Sequence, residues 1–146
     1  MPYVRTFQLF VSHAWSANEE YNRLVSLLKS INRFNIVIIS EPEYDPAIDP
    51  ESSIGVQKLK GIMEMQVRSV NCALILPGMF VSNELWVQHA IFLCQMYGVS
   101  PLAMAPEEGE ELPPVLSIKA DAVIDWNIAA IEEGVKAFST TRFGAT

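Results

Sequence analysis

Short apolar runs alternate with stretches of helical periodicity from end to end of this chain, and that alternation restricts its fold more than any other feature. FQLFVS (7–12), NIVIIS (35–40), CALILP (72–77), SPLAMA (100–105) and AVIDW (122–126) are strand-like, rich in β-branched and large apolar residues. Between them lie amphipathic stretches. Tyr21, Leu24, Val25, Leu28 and Ile31 share one helical face, after a Ser16-Ala-Asn-Glu19 capping box. Val56, Leu59, Met63, Val67 and Val70 share a second, and Ile128, Ile131, Val135 and Phe138 a third, in a helix from about Asn127. The segment SNELWVQHAIFLC (82–94) reads as a further helix, with Ser82 as N-cap and Glu84 near its positive end.

Runs this short and apolar suit strands covered on both faces, NIVIIS included, so the pattern predicts a parallel sheet flanked by helices. Five strands and about four helices fit a flavodoxin-like α/β fold with sheet order 2-1-3-4-5. The 146 residues make one domain, 1–146, with only the tail after about Thr140 expected to be weakly anchored. Ligands in such sheets bind beyond the carboxyl ends of the strands, at the switch point between strands 1 and 3. Those ends carry SHAW (12–15), EPEYDP (41–46) and PGMFVSN (77–83), the last two expected to be loops.

Half the residues are hydrophobic, yet no stretch is long and unbroken enough to span a bilayer or act as a signal peptide. The expectation is a soluble, cytoplasmic protein. A net charge of −7 with 10 Lys+Arg argues against nucleic acid or an anionic membrane as partner. Cys72 and Cys94 are expected as buried thiols, and two histidines, His13 and His89, are too few for a multi-histidine metal site; no metal is expected. There is no G-x-G-x-x-G, Walker A, H-E-x-x-H or nucleophile elbow. Pro77 and Gly78 stand where a phospho-acceptor aspartate would end strand 3.

What remains is a set of residues that the topology gathers at one edge: Ser12, His13 and Trp15 after strand 1, Asp45 after strand 2, and Ser82 and Trp86 at the start of the 82–94 helix. An indole there offers a flat surface for a heteroaromatic base or nicotinamide. Each of these residues also has a plainer reading, as a core or solvent-facing side chain.

FVSHAW, the proline-rich loop, QVRSVNCALILPGMFVSNELWVQHAI and ADAVIDWN together resemble the TIR-like family, in particular its bacterial branch of Thoeris antiphage defence and small stand-alone TIR-like proteins. The resemblance covers about Phe7 to Phe138, and its most specific part is Trp-Val-x-x-x-Ile (86–91). It implies NAD as a substrate rather than a bound cofactor, cleavage of the nicotinamide–ribose bond, and an ADP-ribose-derived signal that activates a separate effector. A homo-oligomer is a further possible arrangement.

The family's catalytic glutamate falls four residues after the tryptophan, where this sequence has Ala90. A carboxylate at that position would stabilise the ribosyl cation-like transition state and hold the ribose hydroxyls. Alanine does neither. Glu84 lies about 120° around the helix from position 90 and His89 about 100°. The chain therefore reads as an NAD-processing enzyme disabled at Ala90, whether by an engineered Glu→Ala change or as a natural pseudoenzyme. The alternatives are a non-catalytic TIR-like interaction module and a nucleoside deoxyribosyltransferase-like enzyme.

Overall fold

The computed structural model describes residues 5–16 and 18–139. The segment after Thr140 and Ala17 of the expected capping box lie outside them. Five strands, β1 (Thr6–Val11), β2 (Asn35–Ile38), β3 (Cys72–Ile75), β4 (Ser100–Met104) and β5 (Ala122–Ile124), form one all-parallel sheet of order 2-1-3-4-5. This is the flavodoxin-like arrangement that the alternation predicts.

The helices are α1 (Glu19–Lys29), α2 (Ser53–Arg68), α3 (Pro77–Ser82), α4 (Glu84–Tyr97), α5 (Pro114–Lys119) and α6 (Ile128–Phe138). Asn18 caps α1 by accepting the Tyr21 N–H, Ser52 caps α2 through the Gly55 N–H, and Asn127 caps α6 through the Ala130 N–H. Gly98 ends α4 in the left-handed region at φ +69°, which frees the chain to turn straight into β4.

The central strands are buried as their composition requires. Every residue of β3 is inaccessible, and Leu9, Phe10 and Val11 of β1 join Leu24, Leu28, Met63, Val67, Ile91, Cys94, Ile131 and Val135 in one core. β2 differs from expectation. It lies at the sheet edge, its residues alternate between exposed and half-buried, and Val37 faces out.

Two more departures concern helices. PGMFVSN is not a loop, since residues 77–82 form α3; and α5 follows the acidic 106–111 segment where no helix was expected. Both helices start with Pro in the first turn, where its missing N–H costs nothing.

Candidate functional site

Beyond the carboxyl ends of β1 and β3, the chain packs a continuous file of rings. The His13 and Trp15 rings meet edge to face at 4.7 Å, Trp15 and Trp86 at 5.8 Å, and Trp15 and Tyr44 at 5.9 Å. His89 continues the file at 6.4 Å from Trp86 and stacks on Phe92 at 6.2 Å. Three separate segments, after β1, after β2 and along α4, thus converge at the edge where the topology places a binding crevice.

Trp15 takes its place at a cost. Its φ of +64° is the only left-handed backbone angle of a non-glycine among the described residues. A bulky side chain in that region is strained by about 1–3 kcal/mol and persists only where its surroundings over-determine it. The indole, wedged between His13, Tyr44 and Trp86, supplies that determination.

His13 is held inside the fold. Its Nδ1 accepts the Trp15 backbone N–H at 3.2 Å, which assigns the ring proton to Nε2, and Nε2 donates to Gln66 Oε1 at 2.9 Å. Gln66 in turn donates to the Glu41 carbonyl, tying α2 to the loop after β2. The His13 ring has no exposed surface, and its burial outweighs the Gln66 hydrogen bond in pushing its pKa below the ordinary histidine value. It is a neutral strut of the crevice.

Ser12 is equally inaccessible: its hydroxyl oxygen accepts the Leu76 N–H at 2.8 Å and prolongs the β1–β3 pairing by one step. Ser40 does the same on the other side, accepting the Val11 N–H at 2.9 Å while its carbonyl takes the Tyr21 hydroxyl at 2.6 Å.

The remaining candidates are dispersed. Asp45 is exposed and accepts the Ala47 N–H in an Asx turn. Ser82 is not the N-cap of α4: it is the last residue of α3, and its hydroxyl donates to the Gly78 carbonyl at 2.9 Å. Asn83 stands at the cap position, but its side chain accepts no capping bond from α4; its amide donates instead to the Ser82 hydroxyl at 3.2 Å. Ala90 has no exposed surface and packs into the core together with Val87, Ile91 and Cys94 of the same helix. So the structure brings Ser12, His13, Trp15 and Trp86 into one neighbourhood, with Ser12 and His13 behind its surface rather than on it.

Residues not singled out by sequence reasoning complete the neighbourhood. A groove of about 480 Å3 opens between α2 and α4, lined by Val56, Lys60, Leu85, Trp86, Gln88 and His89. Burial, and then the Lys60 charge, push the His89 pKa down, against a smaller opposing pull from Glu64. A larger groove, about 740 Å3, lies at the opposite, amino-terminal edge of the sheet between Arg5, Arg33 and α6. The ring file and the perturbed histidine mark the smaller groove as the chemically equipped one. No group of three or more His, Cys, Asp or Glu placed to hold a metal occurs among the described residues. Nor is any described helix long and apolar enough to cross a membrane.

Compared with known proteins, the sequence matches no family model and no curated protein at a significant level.

Proposed function

We propose that this chain is a TIR-like protein of bacterial antiphage defence, cytoplasmic, whose fold serves NAD chemistry and which in its present form binds NAD or a related nucleotide without cleaving it. An active counterpart breaks the nicotinamide–ribose bond and passes the ADP-ribosyl unit on as a diffusible signal to a separate effector. The observation that carries this reading is the pairing of Trp15 with Trp86 at 5.8 Å, with Ala90 one helical turn further along. A flat, apolar base finds a stacking surface there, while the group that would steady a positive ribosyl centre is a methyl. Binding and cleavage separate when the missing group acts mainly in the transition state.

The test is calorimetry with NAD and ADP-ribose, alongside chromatography of released nicotinamide. The chain binds both and releases none. Ala90→Glu then raises nicotinamide release by about 10²- to 10³-fold, the usual worth of such an electrostatic group. Absence of heat with both nucleotides overturns the reading.

A second reading, a non-catalytic interaction module, draws on one specific observation: Ala90 is wholly enclosed, as a plain packing residue would be. It predicts that Ala90→Glu unfolds the protein, since burying an unpaired carboxylate costs several kcal/mol.

A further inference from the structure

The outer faces of the long helices differ in one respect. α1 exposes Arg23 and Lys29, α2 Lys58 and Arg68, and α6 Glu133 and Lys136, as solvated helix faces do. α4 exposes no charged residue after its first. Between Arg68 and Glu107 the sequence carries a single Asp, Glu, Lys or Arg, Glu84, and the Gln88 amide donates to that carboxylate at 3.0 Å.

The burial of β3 and β4 accounts for much of this uncharged run, but not for the outside of α4. Leu85 is 84% exposed, Phe92 52% and Met96 54%, and Val81, in α3 just ahead of them, is 74% exposed. Leu85, Gln88, Phe92 and Met96 succeed one another at three- and four-residue spacing, the pattern of a seam between paired helices. Single apolar residues on a surface need no explanation, whereas a row along one helix does. The four apolar side chains expose on the order of 500 Å2 per copy, and two such patches closed on each other reach about 1,000 Å2, the lower bound of a specific interface.

Charge selects the occupant. Two copies of a chain of net charge −7 repel each other over most of their surfaces, and an uncharged face is where they approach at least cost. A partner recognised by its charge finds nothing on α4 to pair with, while a neutral apolar face is complementary to itself. Phe92 is already steadied by the His89 ring, stacked at 6.2 Å, so docking costs it little side-chain freedom.

We propose that α4 is the contact between two copies of this chain, paired antiparallel about a two-fold axis that passes near Gln88 and His89. Leu85 of each copy then packs on Phe92 of the other, and Met96 on Val81. The inference is independent of the nucleotide reading, since it uses the outside of α4 rather than the crevice.

A patch of this size gives a dimer with a Kd on the order of 10 μM, so sedimentation velocity between about 1 and 500 μM shows the parent passing from monomer to dimer. Leu85→Lys and Phe92→Glu each weaken the dimer at least about tenfold, with unchanged far-ultraviolet dichroism because both positions are exposed. Val37→Lys, at an exposed apolar position of the edge strand β2, leaves it unchanged. An equimolar mixture of the two α4 variants dimerises again, because each mixed pair keeps one Leu85–Phe92 contact and sets the introduced lysine against the introduced glutamate. A parent that stays monomeric throughout the range overturns the proposal and leaves the face to a different protein. So do a dimer that neither α4 variant weakens, one that Val37→Lys weakens as much, and a mixture that fails to associate.

Discussion

His13 shows how much of a site can be structural. Its two nitrogens are committed to the Trp15 backbone and to Gln66, and the first of these bonds, in which Nδ1 accepts, needs the neutral ring. Its pKa is lowered in the folded protein, so above the unfolded value of about 6.5 its contribution to stability is complete. As pH falls below that value the unfolded chain takes up a proton that the native ring refuses, and stability declines until the folded value is passed. His89 shifts in the same direction, so the two contributions must be separated. In urea titrations between about pH 7.5 and pH 5, His13→Gln is expected to lose less stability on acidification than the parent, while starting from a lower value. Equal pH dependence of the two would show that the ring is not held neutral. The meeting of Trp15 and Trp86 could be read from the sequence, because each follows a strand or opens a helix at the crevice. The roles of Ser12 and His13 could not, since their partners Leu76 and Gln66 are 64 and 53 residues away.

Among the elements, α3 depends most plainly on another part of the chain. It has no side-chain cap of its own; Glu20 of α1 accepts the Gly78 N–H at 2.9 Å and the Met79 N–H at 2.8 Å, the role that a Ser or Asp usually fills locally. Gly78 leaves room for this, because a Cβ there would stand 2.9 Å from Glu20 Oε2. Glu20→Ala is therefore expected to cost about 1–2 kcal/mol in chemical denaturation and to speed amide exchange in residues 78–80, with Glu20→Gln losing less. No change in exchange at the corner would mean that the anchor contributes nothing. The Pro-Gly pair reads as a turn because the donor groups that make it a helix are satisfied from 58 residues away. β2 misleads for a related reason. A β-branched run has the same composition at an edge as in the centre of a sheet, and only the pairing of its neighbours distinguishes the two.

For the molecule as a whole, the order of the strands was the most legible property, because a right-handed crossover after every strand leaves few ways to pair them. The same core shields both thiols. Cys72 and Cys94 are wholly buried and unbridged, and burial pushes the Cys72 pKa up to about 12. A thiol reagent at neutral pH is therefore expected to label the native protein only as fast as the chain unfolds, and to label it at once in denaturant. Rapid reaction of the native protein would show that the sheet opens locally. The tryptophan pair has an optical consequence as well. Two indoles 5.8 Å apart and nearly perpendicular share their electronic excitation, while Trp126, held by the Ala105 carbonyl and covered by Arg23, absorbs apart from them. The near-ultraviolet dichroism of the folded chain is therefore expected to carry a coupled signal from this one contact, giving the crevice a label that no chemist had to attach.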